Sequence, residues 1–359
     1  MRIAKAIISF KALRHNLSLV KRIAHNKPIM VVLKANAYSH GITEVAKNLY
    51  PGYTSIGVAS LQEAISLRQL NLEADIILLS GVNHTQAMQQ AIENKVTLVV
   101  HNAVGLDLMM NNLRNYQQDI WLKVDTGMHR LGFDSSEFMQ ALEKLLQVGV
   151  PKERIVLMSH LSHADELDAN QTQEQINQFK ALTKNSGCRR CLANSAGILA
   201  WPEAHFDYVR SGLMIYGCSP LANTIGKQHQ LQPAMSFESE VIAVKTVRKG
   251  GTVGYCGTWK AAQDTRIAVV SVGYGDGYPR HATNGTPVWI QGKEYPLVGR
   301  ISMDMLTVEI GGDSIQVGDR VVLWGDELPI ETIASFADTI PYELLCNITQ
   351  RVTLVYEET

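Results

Sequence analysis

Residues 29–35 read IMVVLKA, and this apolar, β-branched run from Ile29 to Ala35 decides how the first two thirds of the chain are read. A near-continuous hydrophobic stretch of this kind suits a strand covered on both faces, as in a parallel sheet flanked by helices. Seven similar runs follow: Tyr53–Ser60 (YTSIGVAS), Asp75–Gly81 (DIILLSG), Val96–Asn102 (VTLVVHN), Asp119–Asp125 (DIWLKVD), Arg154–Leu161 (RIVLMSHL), Arg189–Ser195 (RRCLANS) and Phe206–Leu213 (FDYVRSGL). The segments between them carry helical spacing. In Ser135–Val148, apolar residues at 138, 141, 142, 145, 146 and 148 form the i, i+3, i+4 stripe of an amphipathic helix. Ser135 is placed as its N-cap, with Glu137 in the first turn. Leu61–Leu70 and Ala169–Asn185 read similarly. Eight strand–helix units in roughly 200 residues predict a (β/α)8 barrel, ahead of a doubly wound sheet built from the same units.

The texture changes near residue 215. Helical stripes mostly vanish, and strand-like runs (Phe237–Val247, Arg266–Val272, Thr286–Ile290, Leu306–Ile310, Arg320–Trp324) alternate with turn signals at Gly250-Gly251, Asn284-Gly285 and Gly311-Gly312. The expected organisation is a barrel over 9–215 and a C-terminal, mostly β domain over 216–359. The N-terminal run Arg2–Ile8 is surplus to the eight barrel strands and is assigned to the β domain, so residues 1–8 go with it.

Composition narrows the functional classes. Hydrophobic residues make up 46% and charged residues 19%, with 33 basic side chains against 34 acidic. That excludes disorder as the main character and leaves no electrostatic footprint for nucleic acid or an anionic membrane. No run approaches the ~18 apolar residues of a membrane span. The N-terminal MRIAKAIISF carries Lys5 inside a short apolar run, unlike a secretory leader. Cys188 and Cys191 form a C-x-x-C without a second pair, and the five cysteines read as ordinary thiols of a reducing cytoplasm.

Barrel active sites lie at the C-terminal ends of the strands. There the sequence places Lys34, then Lys123, Asp125 and Arg130, then His160, His163 and Asp165, then Asn194 and Ser195, then Arg210 with Ser211-Gly212. Read one at a time, each has an ordinary explanation: a lysine reaching solvent, a satisfied core histidine, a helix N-cap. Together they outline a desolvated lysine nucleophile and, after strands seven and eight, backbone amides suited to phosphate. Lysine plus phosphate points to pyridoxal phosphate (PLP) chemistry, though an aldolase fits the same description.

The sequence VLKANAYSHG (Val32–Gly41) resembles the cofactor-lysine motif of alanine racemases, K-A-N-A-Y-G-H-G, with Ser39 in place of the glycine. Further blocks resemble the family in the family's order: 121–133 (WLKVDTGMHRLGF), 159–166 (SHLSHADE), 193–197 (ANSAG), 209–217 (VRSGLMIYG), 253–259 (VGYCGTW), 272–280 (VGYGDGYPR), 298–305 (VGRISMDM) and 341–349 (PYELLCNIT). The resemblance implies a PLP-dependent racemase that interconverts L-alanine and D-alanine with two bases and supplies D-alanine for peptidoglycan. Lys34 would bind the cofactor as a Schiff base and serve one face of Cα. Tyr255, from the partner subunit of a homodimer, would serve the other, with His160 as its hydrogen-bond partner. Two opposed bases exchange a proton between faces directly, and a phenol of ordinary pKa ~10 needs such a partner.

The resemblance also implies the remaining roles. Arg210 would meet the pyridine nitrogen, and a guanidinium there makes the ring a weaker electron sink than a carboxylate would. Arg130 would contact the cofactor and the substrate carboxylate, oriented by Lys123, which many family members carry N-carboxylated. Tyr38, Asn194, Ser195, Gly212, Leu213 and Tyr342 would hold the cofactor, most of them at its phosphate. Met303 and Tyr274 would bound the methyl-sized substrate pocket, Met303 also through its amide. Asp165, Arg280, Arg300 and Ile340 would line the access corridor, where His163 replaces a residue that is often small. The competing readings are a broad-specificity or serine racemase, which shares every catalytic residue, and a PLP carrier protein on a bare barrel. A decarboxylase is disfavoured by Arg210, and the carrier by the second domain with Tyr255.

Overall fold

The structure, a computed structural model, describes residues 3–168 and 170–358. Arg2 and Ala169, which open two of the predicted elements, lie outside the described residues. After strand β1 (Lys5–Ser9) and the helix Phe10–Ile23, eight parallel strands follow: β2 (Ile29–Val32), β3 (Ser55–Val58), β4 (Asp75–Leu78), β5 (Thr97–Val100), β6 (Ile120–Lys123), β7 (Ile155–Met158), β8 (Arg189–Cys191) and β9 (Val209–Ser211). They pair in the order β8-β7-β6-β5-β4-β3-β2-β9. The ring closes through a single parallel bridge, Cys191 to Tyr208. Every one of the eight sequence runs therefore holds a barrel strand. Inside the barrel Met30, Ile77, Val99, Trp121, Val156, Met158 and Cys191 pack as a separate buried cluster. Burying an aliphatic side chain of this size contributes about 1.5–3 kcal/mol, so this plug closes the barrel floor and leaves the strand ends as the only place for polar chemistry.

β1 does leave the barrel. It pairs antiparallel with Met235–Val247 and parallel with Thr353–Glu357, tying both chain ends to the C-terminal sheet. The long strand Met235–Val247 is the hub, pairing also with Thr265–Val270 and Arg320–Trp324. The short strands Lys293–Pro296 and Thr353–Glu357 escaped the sequence reading, as did two helices, Ile330–Phe336 and Pro341–Cys346. The second of these has Pro341 in its first turn, where a missing N–H costs nothing. Both helices are shorter than two turns, too short to show a periodic stripe. No helix among the described residues is long and apolar enough to cross a membrane.

One cap differs from expectation. The helix Ser135–Gln147 is capped by Asp134, whose carboxylate accepts from Glu137 N at 2.8 Å while Glu137 reaches back to Asp134 N. Ser135 is the first helical residue. A capping box needs its acceptor three residues before the glutamate, and Asp134 alone satisfies that spacing. Asp134→Ala should therefore destabilise the chain by about 1 kcal/mol, read as a lower denaturation midpoint, while Ser135→Ala stays within ~0.5 kcal/mol of wild type.

Candidate active site

Lys34 follows β2 directly. The residues after it, Ala35 to Ser39, all have φ between 53° and 62°, a left-handed turn built without glycine. Each such residue costs roughly 1–2 kcal/mol, so the turn must be held from outside. Ala35 N donates to Glu63 Oε1 at 2.7 Å, Ile42 N to Asn36 Oδ1 at 2.9 Å, and buried His40 Nδ1 to the carbonyls of Ala37 and Tyr38. The turn sends Tyr38 inward, where it packs on Tyr216 and Tyr342. Lys34 is held below its usual pKa by burial and then by Arg130. An amine so depressed spends more time as the nucleophile.

The chain beyond β6 folds back on itself. Phe133 N donates to Lys123 O, and Asp125 N to Phe133 O. Gly132, at φ +131°, allows that approach, since a Cβ there would sit 2.5 Å from Asp125 N. Asp125 Oδ1 accepts from the amides of Gly127, Met128 and His129, which shapes the loop that delivers Arg130. Lys123 is 7% exposed. Burial first, then the charges of Arg210 and Arg130, push its amine down to about 8.

Arg210 is buried at the end of β9. Its guanidinium donates to the carbonyls of Ser159 (2.7 Å), Leu192 (2.9 Å) and Cys191 (3.2 Å), and to Cys191 Sγ (3.0 Å). Its Nη2 also meets His160 Nδ1 at 3.2 Å. A guanidinium can only donate, so Nδ1 is the acceptor and the imidazole proton sits on Nε2. Burial, then Arg210, Lys123, Arg130 and Lys34, hold His160 well below its usual pKa, hence neutral. Nearby, Asn194 caps the helix Ser195–Ala200, and Ser195 Oγ accepts from Gly212 N at 2.9 Å. Gly212 has to be glycine, because a Cβ would lie 2.9 Å from the Tyr38 hydroxyl.

These side chains share one cavity of about 500 Å³, lined by Lys34, Tyr38, Lys123, Arg130, His160, Asn194, Ser195, Arg210, Gly212, Ile340 and Tyr342 among others. Ile340 and Tyr342 come from the C-terminal domain of the same chain. Leu213 is buried behind Gly212 and does not line it. Tyr255, Tyr274, Met303, Asp165, Arg280 and Arg300 do not line it either. Tyr255 and Met303 are 68% and 51% exposed. They lie in one neighbourhood with Tyr274: its amide donates to Ser302 O, Gly275 N donates to Met303 O, and Gly254 packs against the Arg300 backbone. The sequence reading missed Glu63, Ser80 and Gln175. Glu63 was findable as the glutamate that closes a Ser60-x-x-Glu63 capping box.

Two domain families match the chain: alanine racemase, N-terminal domain, over residues 8–220, and alanine racemase, C-terminal domain, over residues 234–356. The chain belongs to the alanine racemase family. Curated relatives named alanine racemase include those of Shewanella woodyi, 46% identical over 98% of both chains, and Haemophilus influenzae, 45% identical over 98% of both. Among solved structures, the biosynthetic alanine racemase of Pseudomonas aeruginosa superposes with a TM-score of 0.95 at 39% identity, covering 99% of this chain and all of that one. The alanine racemase of Bartonella henselae, described with covalently bound pyridoxal phosphate, gives 0.88 at 27% identity, covering 99% of this chain and all of that one.

The alanine racemase family is PLP-dependent, and the residues of this cavity fit that cofactor. Four cationic side chains and no carboxylate line it, as suits a dianionic phosphate and a carboxylate substrate. The Lys34 amine is available, and the missing Cβ of Gly212 leaves a cradle beside two hydroxyls, Tyr38 and Ser195.

Lys123 gives a test of these electrostatics. Its folded pKa of about 8 lies below the unfolded value of ~10.4, so between them the unfolded chain binds the extra proton. Stability then rises with pH through that window. In carbon-dioxide-free buffer, wild type should gain stability over Lys123→Met as pH climbs from about 8 to ~10.4; parallel curves would refute the assignment.

Proposed function

We propose that this chain is a PLP-dependent racemase that interconverts L-alanine and D-alanine by two bases and supplies D-alanine for peptidoglycan in the cytoplasm. The observation that carries the reading is the single cavity in which Lys34, with its depressed pKa, stands among cations with a neutral His160. The barrel, residues 9–215, together with Tyr342 of the C-terminal domain would hold the cofactor: Lys34 covalently, Tyr38, Asn194, Ser195, Gly212, the Leu213 backbone and Tyr342 chiefly around the phosphate, Arg210 at the ring nitrogen and Arg130 beside the ring and the substrate carboxylate. Bound there, the cofactor supplies the electron sink that makes the substrate Cα–H acidic. Lys34 then takes or gives the proton on one face. Lys123, whose amine is about half neutral near pH 8, can take up carbon dioxide, and the resulting carbamate would pair with Arg130.

We assign the second base to Tyr255 of a second copy: proton exchange between faces is direct only with two opposed bases, and Tyr255 does not line the cavity of its own chain. Exposed Tyr255, Tyr274 and Met303 supply it together with the pocket wall when the C-terminal domain, residues 216–359 with 1–8, meets the barrel of a second copy. His160 Nε2–H can donate to the phenolate of Tyr255 of the partner subunit and so favour that form of the side chain. Met303 and Tyr274 limit the pocket to a methyl group, and Asp165, Arg280, Arg300 and Ile340 line the way in.

Measurements of the cofactor, the second base and the shared site test this. The purified protein should absorb visible light from lysine-bound cofactor, and borohydride should fix that cofactor on Lys34; absence of both overturns the cofactor assignment. Tyr255→Phe should lose solvent exchange of the Cα proton from one alanine enantiomer by at least ~100-fold while the other changes little, as expected for loss of one general base. A monomer with full activity in sedimentation and assay would overturn the shared site.

A further inference from the structure

Behind the strand ends runs a buried polar chain that the proposed chemistry leaves unused. Its centre is Gln175, 3% exposed, on the inner face of the helix Asn170–Thr183. Gln175 Nε2 donates to Thr126 Oγ1 at 3.2 Å and to His160 O at 3.0 Å. Its Oε1 accepts from Ser162 N and from Ser162 Oγ, both at 2.9 Å. Every donor and acceptor direction of the amide is thereby used. Thr126 Oγ1 in turn meets Ser159 Oγ at 2.8 Å.

The bonds converge on one residue. Gln175 fixes the peptide after His160 through the carbonyl and the next peptide through Ser162 N. Arg210 fixes the peptide before it through Ser159 O at 2.7 Å, and the ring itself through Nδ1. The same amide ties this segment to Thr126, in the loop after β6 that carries Arg130. A glutamine serving only its own solvation would need two partners from any source. This one takes partners from two neighbouring strand-end loops, after β6 and after β7.

We propose that Gln175 is a positioning residue for His160. It sets the backbone from which the imidazole reaches, and so the direction of the Nε2–H. The proposal rests on the role given to His160 above.

The test uses the cofactor-loaded enzyme and a double-mutant cycle. Gln175→Met keeps length and removes every polar bond; it should lower kcat by about tenfold or more with KM within about twofold, since small misplacements of a reacting group cost that much. The loss of Cα solvent exchange should fall on the alanine enantiomer whose exchange Tyr255→Phe also lowers, while kcat/KM falls equally in both directions, as an equilibrium between enantiomers requires. In a His160→Asn background the same substitution should add less than about twofold. An unchanged kcat, equal loss of Cα solvent exchange from both enantiomers, or an undiminished further loss in the His160→Asn background each overturns the positioning role. A His160→Asn enzyme with full kcat would instead overturn the role of His160, and the positioning role with it. If Gln175→Met does not fold, Thr126→Val, which cuts one arm only, is read by the same criteria with a smaller expected loss.

Discussion

The rest of the site depends on one electrostatic constraint: Lys34, Lys123, Arg130 and Arg210 face one cavity without a carboxylate among its lining residues. Two like charges about 7 Å apart repel by roughly 2 kcal/mol at an effective dielectric near 20. Several such pairs add up to a sizeable part of the ~5–15 kcal/mol by which folded domains are stable. Arginines do not release protons, so the relief falls on the other groups. The lysines are depressed and the histidine stays neutral. Burial is the larger cause of each of these shifts and the shared positive charge the next, and that charge also gives the cavity its appetite for anions.

Arg210 can sit in that cavity because the ends of β7 and β8 solvate it. Three backbone carbonyls and the Cys191 thiol accept from it, and His160 Nδ1 shares the protons of Nη2 with two of those carbonyls. The left-handed turn after Lys34 belongs to the same economy. Its strain is met by Glu63, Asn36 and His40, and in exchange Tyr38 reaches Gly212 from the inside.

Much of this was legible in the sequence. Eight apolar runs were eight barrel strands, because strands buried on both faces leave a continuous signal. Family blocks located the lining of the cavity from Lys34 to Tyr342. What stayed hidden was hidden for physical reasons. Ile330–Phe336 and Pro341–Cys346 are too short for periodicity to show. The cap at Asp134 was displaced by one residue, since serine and aspartate in tandem are equally good caps until the glutamate spacing is weighed. Gln175 shares the inner face with Thr172, Ile176, Phe179 and Thr183, and a polar residue on an apolar stripe reveals its partners only once the helix is docked.

The seam of the barrel carries a consequence of its own. β8 and β9 meet through a lone bridge, helped by loop hydrogen bonds such as Tyr208 N to Arg190 O and Arg210 N to Ala193 O. The segments on either side of this weak joint hold Ser195 and Gly212, the groups to which we assign the phosphate. An anion seated there would bond both lips at once and act as a rivet across the joint. Binding and barrel closure then become one equilibrium, and occupancy raises the resistance of the whole ring to opening by mass action.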